Sequence, residues 1–253
     1  MAAPIIRRAL LYVPGSSKKM LDKSRGLNVD CVAYDLEDSV TPGKKAEARS
    51  NLRQLLEQPR VEGIREQAVR INSVDSGLAL DDLTEVLKAP NLDALVIPKV
   101  NSASDLHFIT DSARAIVDLP SICRASPYLS GLIFAAEDFA LDLSITRTPS
   151  LSEFLYARSA IVTACRAHDL PSAIDLVCTA FRGDEGLKTL EEECLGGKRL
   201  GFNGKQLIHP SQVEVCQRAF SPGEEEASWA VRVVIADEKA EKLGRGRGRL
   251  MGR

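Results

Sequence analysis

The sequence predicts an α/β protein built around a parallel barrel of the (β/α)8 type, the TIM barrel. Short apolar segments rich in β-forming residues alternate along the chain with segments whose apolar residues return every three or four positions. This alternation is typical of a parallel sheet covered by helices. Six of the apolar segments end in polar residues, and in a closed barrel all such strand ends meet on one face. An open doubly wound sheet is less favoured, because no Gly-x-Gly-x-x-Gly follows the first strand.

Seven strands are predicted from the apolar, β-rich segments, the last of them from a weaker pattern. The predicted strands lie at residues 9–13, 31–36, 67–71, 94–98, 131–136, 173–177 and 199–202. Helices are predicted between most of them, where apolar residues return at helical spacing. The predicted helices lie at residues 17–27, 44–56, 80–87, 152–167 and 186–195. Strand and helix therefore alternate over most of the chain, as a barrel of this type requires.

One βα repeat is predicted to be missing or distorted. A closed barrel of this type has eight strands, and the sequence supplies only seven candidates. The shortfall lies between Lys99 and Gly131, where about 30 residues are available. A helix, a strand and a second helix of typical length would need roughly 50 residues there.

The composition excludes several classes of protein. The chain of 253 residues carries 33 Lys and Arg against 35 Asp and Glu, a net charge of −2, so no nucleic-acid partner is expected. Unbroken apolar stretches are far shorter than the roughly 18 residues of a membrane span, so no membrane partner is expected either. We expect a barrel domain over residues 1–243 and a disordered Gly- and Arg-rich tail over residues 244–253.

The six cysteines are spread singly along the chain, without a Cys-x-x-Cys pair or a histidine at metal-ligand spacing. A disulfide framework or a thiolate zinc site is therefore not expected. No secretory signal precedes the first predicted strand. These observations favour a reducing intracellular compartment, and they leave open whether it is the cytoplasm or the mitochondrion.

Three carboxylates lie at the end of the second predicted strand: Asp35, Glu37 and Asp38. Residues two apart on a strand share a face, so Asp35 and Glu37 are expected to point the same way. Carboxylates this close repel one another unless cations or hydrogen-bond donors offset their charge. Two interpretations stay open: a site for chemistry with a cation, or a structural group bound by loop amides and neighbouring Lys and Arg side chains.

A second acidic pair, Glu137 and Asp138, follows the fifth predicted strand. Hard oxygen ligands at a strand end suit Mg²⁺, whose remaining coordination positions go to water and to substrate oxygens. The alternative is that Asp caps the start of a helix, which is one of its common roles.

Two cations also stand at predicted strand ends, Arg70 and Lys99. A buried arginine presents a rigid fork that suits a carboxylate or an enolate oxygen. A structural salt bridge to Asp35, Glu37 or Asp38 is an equally good interpretation from the residues alone.

The turn after the first predicted strand leads into a helix near Lys18 and Lys19. Free amides at a helix start, together with two lysines, form a candidate phosphate-binding patch. The Pro-Gly-Ser sequence of this segment is also an ordinary turn, so the pattern alone leaves both interpretations open.

Six segments of the chain form a recognisable series. They lie at residues 8–16 (RALLYVPGS), 34–40 (YDLEDSV), 69–72 (VRIN), 97–100 (IPKV), 134–139 (FAAEDF) and 201–210 (GFNGKQLIHP). Taken together and in this order, they resemble the citrate lyase beta-subunit-like branch of the HpcH/HpaI aldolase superfamily, and they are similar to citramalyl-CoA and malyl-CoA lyases. The resemblance covers residues 7–243, nearly the whole chain.

The resemblance implies a TIM barrel, usually a homotrimer, that binds Mg²⁺ and a CoA thioester. The implied activity is that of a carbon–carbon lyase, which cleaves a citramalyl-CoA, malyl-CoA or citryl type of thioester. The products are a 2-oxo acid and an acyl-CoA, and the implied reaction passes through a metal-stabilised enolate.

The resemblance also assigns roles to residues of this chain. Asp138 is the implied metal ligand, with Glu137 beside it. Arg70, Asp35 and Glu37 are the implied catalytic group. The implied substrate-binding residues are Arg70, Lys18, Lys19 and Lys99, with the first two lysines near the CoA phosphates.

The chain departs from the family pattern at two places. The family's second protein ligand to Mg²⁺ is a Glu at the end of a strand, and here Asp111 could replace it only if the chain formed a strand there. Relatives also continue past residue 243 into a lid that carries an Asp. Both departures favour an alternative function, a catalytically impaired or non-catalytic CoA-binding member of the family. A third interpretation, an open α/β binding module without metal, requires the carboxylates to be purely structural.

Overall fold

The computed structural model describes residues 6–100 and 113–242. These residues fall into two compact units, the first ending at Phe220 and the second beginning at Ser221. All seven described strands belong to the first unit and form one sheet in which every pairing is parallel. The strands are β1 (Ala9–Pro14), β2 (Val29–Asp35), β3 (Ile64–Arg70), β4 (Ala94–Val96), β5 (Gly131–Ile133), β6 (Ser172–Asp175) and β7 (Gly204–Leu207).

The helices of the first unit lie between and after these strands. They are α1 (Lys18–Ser24), α2 (Lys45–Glu57), α3 (Ala79–Val86), α4 (Ala113–Arg124), α5 (Ala136–Leu143), α6 (Leu155–Ala167), α7 (Gly183–Leu200) and α8 (Val213–Phe220). The second unit, taken by itself, contains α9 (Glu224–Lys242). The domain boundary expected at residue 243 stays a prediction, because residues 243–253 lie outside the described part of the chain. None of the described helices combines the length and the apolar character needed to cross a membrane.

The sheet curls into an open barrel with the strand order β4-β3-β2-β1-β7-β6-β5. The first strand pairs with both β2 and β7, so the beginning and the end of the first unit lie side by side as they do in a closed barrel. In the described residues, β4 and β5 are the two ends of the sheet, and α4 is the one helix between them. The predicted parallel barrel is therefore confirmed in a distorted form, as a curled sheet of seven strands over the described residues. The residues in which the shortened repeat was predicted, 101–112, lie outside the description.

The two faces of the sheet contact two different groups of apolar residues. On β2, Val32 and Tyr34 belong to the large cluster between sheet and helices, whereas Cys31 and Ala33 belong to a smaller cluster. Side chains alternate between the two faces of a strand, so a strand with a core on each side has every residue buried. The smaller cluster is the interior of the curl, where short side chains such as Ala33 fit the narrow space.

Several element boundaries differ from the sequence predictions by a few residues, and at two places residues predicted as strand lie in a helix. The strand predicted at residues 199–202 is wrong, because α7 continues to Leu200 and β7 begins only at Gly204. Gly201 ends α7 in the left-handed region, at a φ of 103°, which costs little for a residue without Cβ. The fifth strand ends at Ile133 rather than at residue 136, since Ala136 already begins α5. The polar residues after Ala136 therefore lie in the first turn of a helix and not at a strand end.

Candidate active site

Asp35 and Arg70 bring the ends of β2 and β3 together. They are the last residues of these strands and lie opposite each other in the register of the sheet. Arg70 Nε donates to Asp35 Oδ1 at 2.7 Å, and Nη2 donates to Oδ2 at 2.8 Å. This is the two-pronged geometry that a guanidinium and a carboxylate favour.

Asp35 is fully buried and is saturated with donors. Besides Arg70, the amides of Glu37 and Ser39 donate to it at 2.9 and 3.0 Å, and the Ser39 hydroxyl donates as well. Burial alone raises the pKa of Asp35, but the hydrogen bonds and the charge of Arg70 outweigh burial, and the pKa lies below its ordinary value. Asp35 is therefore an ionised anchor for Arg70 and for the turn that follows β2.

Arg70 presents its remaining edge to the other two carboxylates of this turn. Its Nη1 lies 3.0 Å from Glu37 Oε2 and 3.5 Å from Asp38 Oδ2. The ring of Tyr12 lies beneath the guanidinium, 4.5 Å from Cζ to the ring centroid. Burial lowers the pKa of Arg70, whereas its bonds to Asp35 raise it more, so the pKa lies above the ordinary value.

Glu37 is a buried carboxylate between two cations. Arg70 Nη1 lies 3.0 Å from its Oε2, and Lys99 Nζ lies 3.0 Å from its Oε1. Neither oxygen has a hydrogen bond of regular geometry with a described residue. Burial raises the pKa of Glu37 above its ordinary value, although both cations act in the opposite direction.

Lys99 reaches this group from the end of β4. Its backbone lies in the left-handed region, at a φ of 57°, which is uncommon for a residue with a side chain and concentrates at functional sites. Its Nζ also lies 3.4 Å from Asp38 Oδ1. Burial lowers the pKa of Lys99. The bond to Glu37 and the nearby negative charges outweigh burial, so the pKa lies above the ordinary value. Lys99 is therefore a firmly protonated cation beside Glu37 and Asp38.

Asp138 approaches the same group from the first turn of α5 and is partly buried. Burial raises its pKa, Lys99 and Arg70 lower it, and the charge of Asp38 raises it again. None of the described residues donates a hydrogen bond or forms an ion pair with the Asp138 carboxylate. The oxygens of Asp138 can therefore still accept a ligand, and they lie near both cations and carboxylates.

Glu137 has a different environment from its neighbour. Its side chain is mostly exposed and forms an ion pair with Arg147, with an Nη1–Oε1 distance of 2.5 Å. Arg147 also contacts Glu193 at 3.1 Å and the carbonyl of Val177 at 3.1 Å. Of the acidic pair that the sequence offers, only Asp138 is free of an ion-pair partner among the described residues.

Lys18 and Lys19 lie apart from the acidic group, exposed at the start of α1. Ser17 caps this helix by accepting a hydrogen bond from the Met20 amide. The preceding turn packs closely on the end of β2, because a Cβ at Gly15 would lie 2.9 Å from the carbonyl oxygen of Asp35. The turn that leads into α1 therefore lies against the end of β2, and the described residues show no ion pair with Lys18 or Lys19.

Sequence reasoning missed Lys45, the first residue of α2. Its Nζ donates to the carbonyls of Leu36 and Glu37 and to the side chain of Asn72. The available signal was a basic residue every four positions along α2, at Lys45, Arg49 and Arg53.

The site fits a Mg²⁺ ion in part. In the described residues, no group of three or more His, Cys, Asp or Glu side chains is arranged to hold a metal. Mg²⁺ usually needs only one or two protein carboxylates and keeps several waters, and the unpaired Asp138 carboxylate is suited to that role. Asp111, the substitute considered for the second carboxylate, lies outside the described residues.

A comparison with protein families matches the chain to HpcH/HpaI aldolase/citrate lyase, over residues 8–111 and 108–210. The match falls into two pieces that meet inside the region where the sequence predicted the missing repeat.

Three curated relatives match nearly the whole chain. Citramalyl-CoA lyase, mitochondrial, of Homo sapiens is 36% identical over 273 residues and covers 96% of this chain and 79% of the relative. A (3S)-malyl-CoA thioesterase of Cereibacter sphaeroides is 36% identical, covering 94% of this chain and 86% of the relative. Citrate lyase subunit beta of Haemophilus influenzae is 34% identical, covering 95% and 89%. The first alignment is longer than the 253 residues of this chain, so the human relative carries residues that this chain lacks.

Solved structures share the fold. RipC from Yersinia pestis superposes with a TM-score of 0.72 at 28% identity, covering 89% of this chain and all of that chain. CitE from Mycobacterium tuberculosis, in complex with magnesium, acetoacetate and coenzyme A, gives 0.72 at 26% identity, covering 94% of this chain and 89% of that one. The citrate lyase beta subunit complexed with oxaloacetate and magnesium from the same organism gives 0.70 at 26% identity, covering 88% and 100%.

Proposed function

Because the chain belongs to the HpcH/HpaI aldolase/citrate lyase family, as its six segments predicted, we propose that it is a Mg²⁺-dependent carbon–carbon lyase. The proposed substrate is a CoA thioester of the citramalyl-CoA, malyl-CoA or citryl type, which is cleaved to a 2-oxo acid and an acyl-CoA. One observation carries the proposal: Arg70, Glu37 and Lys99 converge at the ends of β2, β3 and β4, beside the unpaired carboxylate of Asp138.

Asp138 is the carboxylate that would hold Mg²⁺. Glu137, the other candidate ligand, would have to leave Arg147 to take part. When bound, the ion supplies Lewis-acid polarisation of the carbonyl oxygen of the 2-oxo acid. Complexes of related proteins with magnesium support Mg²⁺ as the ion.

Arg70 would bind the substrate carboxylate or the oxygen on which negative charge develops. Asp35 fixes two of its nitrogens and Tyr12 supports its flat face, so the guanidinium is oriented before the substrate arrives. Donors fixed in advance near a developing charge stabilise a transition state without reorganising. Asp35 acts in this proposal through Arg70, as its positioning residue.

Glu37 would exchange the proton that moves as the carbon–carbon bond breaks. Burial raises its pKa, and a carboxyl group with a raised pKa is better suited to exchange a proton near neutral pH. Lys99 would bind the thioester or the 2-oxo acid from the other side of Glu37, since its ammonium contacts Glu37 and Asp38.

Lys18 and Lys19 would bind the phosphates of CoA. Both ammonium groups are exposed on α1, which follows the turn that packs on the end of β2. A related protein is in complex with coenzyme A, magnesium and acetoacetate, which supports a CoA thioester and a small acid as partners.

We extend the proposal to assembly and location. The assembly is a homotrimer, by resemblance to the family. The compartment is reducing, either the mitochondrion or the cytoplasm; a relative is named a mitochondrial enzyme, and all six cysteines are buried free thiols.

A second candidate function is that of a CoA-binding family member that is catalytically impaired or non-catalytic. Two observations favour it. The family match breaks at residues 108–111, and the described residues contain no group of three carboxylate, thiol or imidazole side chains that could hold a metal. Binding of CoA through Lys18 and Lys19 does not depend on such a group.

Turnover of defined thioesters separates the two functions. The purified chain is incubated with citramalyl-CoA, malyl-CoA or citryl-CoA and MgCl₂, and acyl-CoA products are followed by mass spectrometry. The lyase proposal predicts Mg²⁺-dependent product, lost in Arg70→Gln and retained in the control Arg65→Gln, an exposed arginine of the same strand. Absence of product from all three thioesters, with CoA still bound, would instead establish the second function.

A further inference from the structure

Lys45 holds the turn that carries Glu37 and Asp38. Its Nζ donates to the carbonyls of Leu36 and Glu37, both at 2.7 Å, and to Asn72 Oδ1 at 2.6 Å. An ammonium group has three donors, so all of them are used. Two of the three acceptors are main-chain atoms of the turn that begins directly after β2.

The turn is held from two sides. The Asp35 carboxylate accepts from its amides, those of Glu37 and Ser39, at 2.9 and 3.0 Å. Lys45 donates to its carbonyls, which lie beyond the end of β2 and need partners outside the strand. Together the two side chains bind the backbone from which the Glu37 side chain projects.

The third acceptor links Lys45 to a wider polar network. The backbone and side-chain amides of Asn72 both donate to Asp82 Oδ2, at 2.7 and 2.6 Å. Asp82 is fully buried on α3 and accepts from Arg49 Nη1 at 3.0 Å. Arg49 lies one turn after Lys45 on α2, so the contacts run from α2 through Asn72 and Asp82 back to α2. A network with its members satisfied in this way is rigid.

We infer that Lys45 is a positioning residue of the site, which sets the orientation of Glu37 and Asp38 toward Arg70, Lys99 and the cation that Asp138 would hold. This inference rests on the proposed function for its effect on the cation. A lysine on the surface is not expected to orient these carboxylates, and the neighbour of Lys45 in the chain is a lysine of that kind. Lys44 forms an exposed ion pair with Glu47 at 2.6 Å and does not contact the turn. It is a matched control.

The first test measures the turn itself. Hydrogen exchange is followed by mass spectrometry in the full chain and in the variants Lys45→Met and Lys44→Met. Lys45→Met is expected to speed exchange at residues 36–40 by about tenfold, because the turn loses bonds to a charged donor. Peptides from β6 and β7 and the whole Lys44→Met variant are expected to exchange like the unmodified chain. Equal exchange of the turn in the two variants would overturn the inference.

The second test measures the cation. Calorimetric titration with MgCl₂ in the presence of pyruvate is expected to give a Kd about 10- to 100-fold weaker for Lys45→Met than for Lys44→Met. A merely structural lysine would lower the melting temperature and leave the Mg²⁺ affinity of the folded protein unchanged, and that result would overturn the inference. Lys45→Gln, which keeps donors, is expected to lie between the two and decides the matter if Lys45→Met does not fold.

The two tests separate failure of the inference from failure of the proposed function. If the unmodified chain binds no Mg²⁺, the proposed function fails, and hydrogen exchange still decides whether Lys45 positions the turn. If the unmodified chain binds Mg²⁺ and the Lys45 variants bind it equally well, the inference fails and the proposed function stands.

Discussion

Asp35 and Arg70 lie opposite each other at the ends of adjacent parallel strands and join through two hydrogen bonds, of 2.7 and 2.8 Å. Asp35 is fully buried, and the side chain of Arg70 is 17% exposed. The pair therefore connects the sheet to the site: its buried half anchors the turn after β2, and its accessible half contacts Glu37 and Asp38.

Removal of the Asp35 charge is expected to destabilise the fold. In Asp35→Asn the buried end of Arg70 loses its counter-charge, and breaking a buried pair in this way costs roughly 3 kcal/mol. Asp38→Asn is the control, because that side chain is 58% exposed and should cost less than about 1 kcal/mol. Urea unfolding followed by circular dichroism measures both. Equal free energies of unfolding for the two variants would show that the buried pair of Asp35 and Arg70 stabilises the fold no more than an exposed ion pair does.

The same pair predicts how stability depends on pH. The pKa of Asp35 is lower in the folded protein than its ordinary value, so its contribution is complete above the unfolded pKa and is lost as the pH falls through the folded pKa. The difference in unfolding free energy between the unmodified chain and Asp35→Asn should be constant from about pH 7 to 5 and should shrink below about pH 4. Urea titrations at several pH values measure this. A difference that stays constant down to pH 2 would contradict the lowered pKa.

Two neighbouring glycines of α7 are expected to respond oppositely to substitution. A Cβ at Gly197 would overlap Asp175 Oδ2, which is fixed by a buried ion pair with Arg158 at 2.6 Å. A Cβ at Gly196 would meet nothing within 4 Å. Gly196→Ala should therefore stabilise the protein by about 0.5–1 kcal/mol through helix propensity, whereas Gly197→Ala should destabilise it. Thermal unfolding tests the signs, and stabilisation by both substitutions would show that α7 packs differently on β6.

The proposal that Lys18 and Lys19 bind the CoA phosphates predicts how their substitution changes the kinetics. Replacing Lys18 and Lys19 by Ala should raise the KM for the CoA thioester by about fivefold per lysine, since each exposed contact with a phosphate contributes about 1 kcal/mol. The value of kcat should change little, because these residues do not touch the reacting atoms. Lys23→Ala, at the other end of the same helix, is the control. A KM that is unchanged in the double variant would place the phosphates elsewhere.

The sequence was sufficient for the architecture because the relevant signals are local. A strand such as β2, buried at all seven positions, has an apolar composition that is visible without a structure. A missing or distorted repeat was predicted from the count of seven strands and from the short stretch between Lys99 and Gly131. The strand predicted at residues 199–202 failed because the end of a helix depends on one backbone angle at Gly201, and the apolar pattern does not report that angle.

The candidate site was only partly predictable for a different reason. Asp35, Glu37 and Arg70 were identified as charged residues at strand ends, but their partners depend on the register between strands. That register decides that Asp35 anchors Arg70, whereas Glu37 lies between Arg70 and Lys99. The role of Lys45 rests on contacts to main-chain carbonyls. Every residue carries a main-chain carbonyl, so the sequence does not indicate such contacts.

We propose that Asp138 holds the Mg²⁺ ion of a carbon–carbon lyase. Isothermal titration of the purified chain with MgCl₂, in the presence of pyruvate or oxaloacetate, tests it most directly. The control is Asp142→Asn, one turn further along α5, against the variant Asp138→Asn. We predict binding with a Kd of about a micromolar in the unmodified chain and the control, and none in Asp138→Asn. Absence of heat from the folded, unmodified chain, or equal binding by Asp138→Asn, would contradict the claim.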